Sequence, residues 1–247
     1  MGKENRMDWT DPRLGDLLVH EGQAVGIQLA PSQIEALIAF GEELERQNRR
    51  FNLSAIVDPK EVIRKHFVDS LALLPHLPSQ AANLVDVGSG AGLPGLALKI
   101  ARPELEVTLV ESVKKKAAFL QETVARLELT GVNVIDRRAE ELGQEAQFRE
   151  QFALATARAV ASLPVLLELS LPLLSVGGCF VAYKGPQVAE EIKAGQRALT
   201  VLGGELREVK EFSLLGGERR TLVLVDKIAP TPAKYPRGPG RPGKRPL

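Results

Sequence analysis

A short apolar run that ends in a glycine-rich turn constrains the fold of this chain more than any other feature. The run extends from Leu84 to Val87, and four glycines follow it: Gly88, Gly90, Gly92 and Gly95. Glycine adopts dihedral angles that other residues avoid, so such a turn leaves backbone N–H groups open to a ligand. The order strand, glycine turn, helix therefore predicts a ligand-binding turn at the edge of a parallel sheet.

From residue 83 onward, short apolar runs alternate with helical stretches, which is typical of an α/β fold with helices around a parallel sheet. We predict seven strands, near residues 84–87, 105–110, 132–135, 152–156, 179–183, 205–212 and 221–226. Helices are expected near 93–101, 113–128, 161–174 and 187–201. The last two strands flank the turn Leu215-Gly216-Gly217-Glu218, so we expect an antiparallel hairpin at the end of a mostly parallel sheet.

The first 75 residues instead carry apolar residues at helical spacing. Asp58 followed by Pro59 and Glu61 predicts the start of one of these helices, because proline fits the first helical position. We therefore expect an N-terminal helical subdomain (1–80), an α/β domain (81–228) and a C-terminal tail (229–247). The tail is rich in proline and basic residues, and we expect it to be extended, of polyproline type, and poorly packed.

Composition limits the class of protein. The 247 residues carry a net charge of +1 and a single cysteine, Cys179, so no disulfide can form within the chain. The longest uncharged run, 169–183, is too short to span a bilayer, and the N-terminus does not resemble a signal peptide. We expect a cytoplasmic protein that does not enter a membrane, and we expect it to be a monomer.

The acid before the glycine turn distinguishes between two cofactors. Gly90, Gly92 and Gly95 match the dinucleotide pattern G-x-G-x-x-G, which alone is a weak signal. However, Asp86 ends the strand, where its charge would repel a pyrophosphate and attract the ammonium and sulfonium of S-adenosylmethionine. Asp-x-Gly-x-Gly-x-Gly is the first motif of class I methyltransferases. A nicotinamide-dependent oxidoreductase remains the alternative.

Acids at the ends of the next two strands extend this predicted cofactor site. A carboxylate that binds ribose hydroxyls is expected at the end of the second strand, and Glu111 stands there. Ala139 and Glu140 follow the third strand, where class I enzymes contact the adenine. Asp86, Gly88, Gly90, Gly92 and Glu111 are therefore predicted to bind S-adenosylmethionine.

The residues that are missing favour one target atom. Methylation of a pyrimidine carbon needs a cysteine nucleophile, and Cys179 lies within an apolar strand that favours a packing role. Methylation of an exocyclic amine usually involves an Asn/Asp-Pro-Pro-Tyr motif, which this sequence lacks. A ring nitrogen with a free lone pair, such as N7 of guanine, needs neither the cysteine nor that motif. It only has to be oriented towards the methyl group.

With these motifs in this order, the chain resembles the glucose-inhibited division protein B family of bacterial 16S rRNA guanine-N7 methyltransferases. The resemblance covers nearly the whole chain and rests on these segments: Asn52-Leu53, His66 to Ser70, Asp86 to Gly95, Ser112 to Leu120, Arg158-Ala159, Lys184-Gly185 and Tyr235 to Leu247. It implies a class I methyltransferase with a Rossmann-like sheet that methylates one guanine of small-subunit rRNA. It further implies cofactor contacts from five positions: Gly88, Leu93, Ala139, Glu140 and Arg158.

Cationic and polar residues outside the glycine turn are candidates for RNA and catalysis. Arg158 ends the fourth strand and Lys184 the fifth, and we predict both to be catalytic. Contacts with the 16S rRNA or a small-subunit precursor are predicted for Arg49, Arg50, Asn52, His66, Lys115, Lys184, Arg237, Lys244 and Arg245. No metal site is expected from three scattered histidines. A non-catalytic RNA-binding assembly factor is a second alternative.

Overall fold

The computed structural model describes residues 7–51, 53–77 and 82–247. The predicted RNA contact Asn52 and the predicted domain boundary near residue 80 lie outside the described residues. The strands are β1 (Asn83–Val87), β2 (Glu106–Val110), β3 (Val132–Ile135), β4 (Phe152–Arg158), β5 (Leu174–Lys184), β6 (Gly204–Ser213) and β7 (Arg219–Lys227).

Ten α-helices are present in the described part of the chain. They are α1 (Arg13–Gln23), α2 (Pro31–Phe51), α3 (Pro59–Val62), α4 (Asp69–Leu71), α5 (Gly95–Ala101), α6 (Lys114–Arg126), α7 (Ala139–Leu142), α8 (Leu163–Ser170), α9 (Ala189–Leu202) and α10 (Arg241–Lys244). A π-helical stretch, Ile63–Val68, joins α3 to α4.

The strands form one seven-stranded sheet in the order β3-β2-β1-β4-β5-β7-β6. The pairs among β1 to β5 are parallel, while β7 runs antiparallel to both β5 and β6. Strand β1 lies in the middle, where Val85 pairs with Thr108 of β2 and Ala155 of β4. The predicted seven strands, the mostly parallel sheet and the terminal hairpin are confirmed.

Alternating residues of β1 point to two different cores. Leu84 packs in the core that the N-terminal helices share with α5 and α6, whereas Val85 packs in the core with α8 and α9. In the first core, the rings of Phe40 and Phe67 stack with centroids 5.5 Å apart. The N-terminal helices therefore rest directly on one face of the sheet, which fixes the π-helical stretch beside the strand ends.

The helical start predicted at Asp58 is confirmed. Its side chain accepts hydrogen bonds from the backbone N–H groups of Lys60 and Glu61, and Pro59 occupies the first helical position. The π-helical stretch that follows was not predicted. Among residues 7–51, 53–77 and 82–247, no helix is long and apolar enough to cross a membrane.

The C-terminal tail is not the extended, poorly packed segment that its prolines predict, because several of its residues bind the α/β domain. Arg237 donates through Nε to the buried carboxylate of Glu168, at 2.8 Å, and α10 follows within the tail. The Arg149 guanidinium donates to the carbonyls of Thr231 and Tyr235 at 2.6 and 2.7 Å. The expectation was wrong because charged groups of the α/β domain bind the tail's side chains and backbone.

Candidate active site

The glycine turn closes the carboxyl end of β1 with its amides held in place. The N–H groups of Gly88 and Ser89 donate to the carbonyl of Val110 at 2.8 and 3.1 Å. Gly88, Gly90 and Gly92 all have positive φ, a conformation that favours glycine. A Cβ on Gly90 would be in ordinary van der Waals contact with the Gly88 carbonyl oxygen at 3.8 Å, whereas one on Gly88 or Gly92 would clash. Gly90 is therefore the least crowded glycine of the turn.

Asp86 supports the turn from beneath rather than facing the open surface. It is 1% exposed; Oδ2 accepts from the Gly95 N–H at 3.2 Å and Oδ1 from the Thr156 hydroxyl at 2.8 Å. Burial raises the pKa of Asp86 to about 6, and these hydrogen bonds oppose that rise. From the sequence, the carboxylate of Asp86 is expected to lie close to a cationic ligand. In the structure this carboxylate lies beneath the turn, and both of its oxygens accept hydrogen bonds from the protein itself.

Glu111 joins the end of β2 to the glycine turn. Its Oε2 accepts from the Gly90 N–H at 3.0 Å, and its Oε1 accepts from the Val113 N–H at 2.8 Å. The carboxylate is mostly buried, so its position is well defined. It stands where a ribose-binding acid is expected, and its orientation depends on two backbone donors.

A small cavity lies beside the turn, and we call it the cofactor-side cavity. It has a volume of about 80 Å³ and is lined by Val87, Gly88, Val110, Ser112, Arg137, Arg138, Ala139, Glu140, Val160 and Leu169. Three of the residues predicted to bind the cofactor therefore meet here, whereas the predicted Leu93 lies buried in the core at the start of α5.

Two elements close this cavity. A Cβ on Gly88 would lie 2.5 Å from a methyl group of Val160, so the residue after β4 packs directly on the turn. On the opposite side, Glu140 Oε1 accepts from the Gly240 N–H of the tail at 2.9 Å. Ligand pockets usually measure 300 Å³ or more. A nucleoside-sized ligand therefore needs Val160, the tail or both to move.

A larger cavity lies on the other side of the segment after β4, and we call it the substrate-side cavity. Its volume is about 400 Å³, and it is lined by Lys65, His66, Asp69, Arg158, Ala159, Tyr183, Lys184, Gly185, Arg220 and Thr221. The structure thus brings together the predicted residues Arg158, Lys184 and His66. The N-terminal π-helical stretch and the ends of β4, β5 and β7 all contribute to it.

Arg158 is held by the N-terminal helical segment. Its Nη1 donates to Asp69 Oδ2 at 3.0 Å and to the carbonyl of Lys65 at 3.3 Å. Its Nη2 lies 3.3 Å from Nδ1 of His66. A π-helical stretch often marks a functional site, and here its Lys65 carbonyl helps to position a cation at the cavity wall. Arg158, for which both a catalytic and a cofactor-binding role are predicted, lines this cavity and does not line the cofactor-side cavity.

His66 connects the cavity to the polar break after α2. Its Nε2 lies 2.7 Å from the Ser54 hydroxyl, and Asn48 exchanges two hydrogen bonds of 2.8 Å with the backbone of Ser54. Burial, together with the charge of Arg158, lowers the pKa of His66 to about 4. The imidazole is therefore neutral near pH 7 and acts here as a hydrogen-bonding group.

Lys184 and Tyr183 brace the cavity from β5. Nζ of Lys184 donates to the carbonyl of Ala161 and to Glu191, each at 2.7 Å. The hydroxyl of Tyr183 donates to the Ser70 carbonyl at 2.6 Å, and burial raises the pKa of this tyrosine well above its usual value. Lys184 therefore fixes the segment between Arg158 and Ala161, and Tyr183 fixes the N-terminal helices to the sheet.

The single cysteine lines neither cavity. Cys179 is buried in β5, and burial raises the pKa of its thiol to about 11. The packing role predicted for it agrees with this position. In the described part of the chain, no group of three or more histidine, cysteine, aspartate or glutamate side chains could hold a metal ion.

The other residues predicted to bind RNA lie at several places. Arg49 and Arg50 are exposed at the end of α2, and Lys115 is exposed at the start of α6. Lys244 and Arg245 are exposed on the tail, whereas Arg237 binds Glu168. A groove of about 520 Å³, the N-terminal groove, includes Arg49 and is lined by Met7, Asp8, Glu45, Asn48, Arg49, Val57 and Pro59.

Several lining residues of these cavities were not predicted as site residues, among them Asp69, Val160, Arg220 and Thr221. Asp69 lies within the segment from His66 to Ser70 that carries the family resemblance, so that segment contained a signal. Arg220 and Thr221 come from the hairpin strand β7, and no local pattern connects them with Arg158. Only the antiparallel pairing of Thr221 with Lys184 brings them to the site.

Comparison with known proteins gives one family. The family model described as "GidB: rRNA small subunit methyltransferase G" matches residues 33–223. A relative named ribosomal RNA small subunit methyltransferase G from Acetivibrio thermocellus is 42% identical over 98% of this chain and all of its own length. Its namesake from Chloroflexus aggregans is 48% identical over 94% of this chain and 97% of its own length.

Solved structures match the fold. The TYW2 protein of M. jannaschii, solved in complex with AdoMet, has a TM-score of 0.50 and 12% identity, covering 66% of this chain and 76% of that one. A protein from Corynebacterium glutamicum has a TM-score of 0.52 and 14% identity, covering 77% of this chain and 90% of its own. At these identities the likeness concerns the architecture of the sheet and its helices.

Proposed function

We propose that this chain, which belongs to the ribosomal RNA small subunit methyltransferase G family, transfers a methyl group from S-adenosylmethionine to N7 of one guanine of the small-subunit rRNA. Membership of the family confirms the predicted family and class of enzyme. It leaves no support for the alternative of a nicotinamide-dependent oxidoreductase. The observation that carries the proposal is the meeting of two cavities across the segment Arg158–Val160.

The cofactor-side cavity has the chemistry that S-adenosylmethionine needs. Gly90 is the least crowded glycine of the turn, and two carboxylates follow the neighbouring strands β2 and β3, namely Glu111 and Glu140. Backbone N–H groups and carboxylates of this kind suit ribose hydroxyls and an adenine amine. When bound, the cofactor supplies an electrophilic methyl group on a sulfonium. Gly88, Gly90, Gly92, Glu111, Ala139 and Glu140 would hold it, with Asp86 supporting the turn.

The residues of the substrate-side cavity orient the acceptor. The N7 lone pair of guanine forms the new N–C bond while the methyl–sulfur bond breaks and its electron pair stays on sulfur. No proton has to leave N7, so the site needs no general base. This agrees with His66, whose lowered pKa keeps it neutral, and with the protonated thiol of Cys179. Arg158 and Lys184 act by placing the base and the segment that separates the two cavities.

The guanine acquires a positive charge when N7 is methylated. Asp69 is 6% exposed and lines the cavity, so its carboxylate lies where it can offset that charge. Burial raises the pKa of Asp69, and the neighbouring Arg158 and Arg220 oppose the rise. Most charged residues that line the cavity are cations, and Asp69 is its only acidic lining residue, so this carboxylate is the group there that can offset a positive charge on the methylated base.

The RNA contacts extend beyond the cavity. Arg49, Arg50, Lys115, Lys244 and Arg245 are exposed cations that suit phosphate groups, and affinity should fall as salt concentration rises. Arg237 serves mainly to fix the tail that carries the last two. We propose that the protein acts in the cytoplasm, as a monomer, on the rRNA or on a small-subunit precursor.

Mass spectrometry of nucleosides tests this function directly. Purified protein is incubated with S-adenosylmethionine that carries a labelled methyl group and with small-subunit RNA from cells that lack the protein. We expect one labelled 7-methylguanosine per RNA, and fragment analysis then locates it. Label on another atom contradicts the proposed target, and RNA that binds without gaining label supports a non-catalytic assembly factor instead.

A further inference from the structure

Two buried acceptor oxygens that the described residues leave without a hydrogen bond belong to residues that line the substrate-side cavity. Within the part of the chain that the structure describes, Asp69 Oδ1 and Thr221 Oγ1 make no hydrogen bond. Both residues are more than nine-tenths buried, at 6% and 1% exposure, and both line the cavity. An unsatisfied buried polar group is costly and rare in native proteins. These two oxygens therefore point to a ligand that donates hydrogen bonds.

The surrounding cations fix Asp69 without satisfying it. Arg158 donates to its Oδ2 at 3.0 Å, while Arg220 Nε lies 3.5 Å from its Oδ1, beyond a good hydrogen bond. Oδ2 is thus hydrogen-bonded, whereas buried Oδ1 has, among the described residues, only the long ion pair with Arg220 and keeps unused acceptor capacity. Thr221 follows Arg220 on β7, pairs with Lys184 of β5 and lines the same cavity.

Guanine presents the donors that these oxygens need. Its Watson–Crick edge carries an N1–H and an N2 amino group, whereas adenine has an unprotonated N1 and no group at C2. A carboxylate that accepts from N1–H and N2–H therefore binds guanine and is left unpaired by adenine. N7 lies on the opposite edge of the ring. Recognition through the Watson–Crick edge would leave N7 free to face the other cavity.

We propose that Asp69, assisted by the Thr221 hydroxyl, selects guanine in the substrate-side cavity by accepting hydrogen bonds from its N1–H and N2 amino group. This inference rests on the proposed function, because it names how the acceptor base is recognised. The cavity volume of about 400 Å³ accommodates one flipped-out base, which such enzymes read along its Watson–Crick edge. Asp69 is thus a specificity-determining residue, and Arg158 is the positioning residue that holds it.

The test compares two RNA fragments of the small subunit that differ at the methylated position, one with guanosine and one with inosine, which lacks the N2 amino group. Binding is measured at equilibrium without cofactor, and kcat/KM is measured with it. We expect inosine to weaken both by at least about tenfold for the unaltered protein, the range of one hydrogen bond to a charged group.

Three variants test which residue discriminates between guanosine and inosine. Asp69→Asn should bind the two RNAs within about threefold of each other, because a neutral amide accepts more weakly than a carboxylate. Thr221→Val, which keeps the shape of the side chain, should reduce the discrimination to a smaller extent. Asp226→Asn is the matched control, since Asp226 lies at the other end of β7 and pairs with Arg207. It should discriminate as the unaltered protein does.

Failure of this inference and failure of the proposed function give different results. If the unaltered protein methylates N7 but binds both RNAs equally, Asp69 is not the selector and the function stands. Full discrimination retained by a folded Asp69→Asn variant has the same meaning. If Asp69→Asn does not fold, Thr221→Val and the unaltered protein still decide. A protein that methylates no guanine N7 overturns the proposed function itself.

Discussion

The two cavities that flank the segment Arg158–Val160 are built in different ways. The cofactor-side cavity measures about 80 Å³ and is lined by Gly88 of the glycine turn and by residues that follow β2, β3 and β4. The substrate-side cavity measures about 400 Å³ and has charged side chains from five separate elements. If the donor and the acceptor bind as proposed, binding the donor depends on the shape of the turn, whereas binding the acceptor depends on side chains that converge from distant parts of the sequence.

The segment between the cavities belongs to both. Arg158 contributes to the substrate-side wall, and Val160 packs on Gly88 at the cofactor side. Ala159, between them, has a positive φ of 57°, which is uncommon for a residue with a Cβ. Such backbone strain often occurs at functional sites. The strained residue turns the chain so that the side chains on either side of it, Arg158 and Val160, line different cavities.

The largest expected effect concerns the tail, which closes only the cofactor side. In Arg237→Ala, the fully buried carboxylate of Glu168 loses its ion pair, and the free energy of unfolding should fall by roughly 3 kcal/mol. Denaturant titration measures it.

Lys244→Ala is the control for the tail, since this side chain is exposed. Its unfolding free energy should change by less than about 0.5 kcal/mol, while affinity for RNA should fall and the salt dependence of binding should become shallower by about one phosphate contact. Equal stability of Arg237→Ala and the unaltered protein would show that the tail does not fasten the cofactor side.

The next largest effect is expected for Gly88→Ala, which changes the shape of the turn without changing any charge. Gly88→Ala places a methyl group at positive φ and 2.5 Å from Val160, so affinity for S-adenosylhomocysteine should fall by roughly 10- to 100-fold, or about 1 to 3 kcal/mol. Isothermal titration calorimetry measures the change. Gly217→Ala is a matched control, because Gly217 also has positive φ but lies in the hairpin turn with nothing within 4 Å of the added Cβ.

RNA affinity sharpens this comparison. Gly88→Ala should bind target RNA as well as the unaltered protein does, because the substrate-side cavity takes no part of its wall from Gly88. Gly217→Ala should lose some stability and keep its affinity for S-adenosylhomocysteine. A similar loss of cofactor affinity in both variants would mean that the effect comes from backbone strain in general.

The smallest expected effect is a dependence on pH. Burial raises the pKa of Asp86 from 3.8 to about 6, so this group ionises between mildly acidic and neutral pH. Affinity for the cationic S-adenosylmethionine should therefore rise by roughly two- to fivefold between pH 5 and pH 7. In Asp86→Asn this rise should disappear, and a rise of the same size in the variant would assign it to another group.

Ionisation of Asp86 should lower the stability of the folded protein, whereas it should raise the affinity for S-adenosylmethionine. The folded chain binds this proton more tightly than the unfolded chain, so the contribution of Asp86 to the free energy of unfolding decreases as pH rises from 3.8 to about 6. Comparing denaturation of Asp86→Asn and the unaltered protein across this range isolates the contribution. Opposite trends in binding and stability would identify Asp86 as the group responsible.

Features that depend on neighbouring residues could be predicted from the sequence. The strands β1 and β3, the glycine turn, and the helix start at Asp58 all follow from local patterns of apolar residues, glycine and proline. Glu111 was also found, because parallel strands end at one edge of the sheet and an acid at the end of β2 must lie near the turn.

Features that depend on distant pairs could not be predicted. Arg158 meets Asp69 across 89 positions of sequence, and Gly240 meets Glu140 across 100. The prolines of the tail led to the wrong prediction of an extended, poorly packed chain, because the sequence does not reveal the buried Glu168 that binds Arg237. Asp86 was predicted only in part. The sequence shows that an acid ends β1, but its burial beneath the turn depends on the packing of Gly95 against it.

A structure of the protein bound to S-adenosylhomocysteine and its target RNA tests most directly that donor and acceptor occupy these two cavities. We predict the cofactor's sulfur beside Gly88, the guanine in the substrate-side cavity with its Watson–Crick edge on Asp69, and N7 pointing across Val160 towards the sulfur. A guanine bound in the N-terminal groove, or RNA phosphates lying on the amides of the glycine turn, would contradict this account.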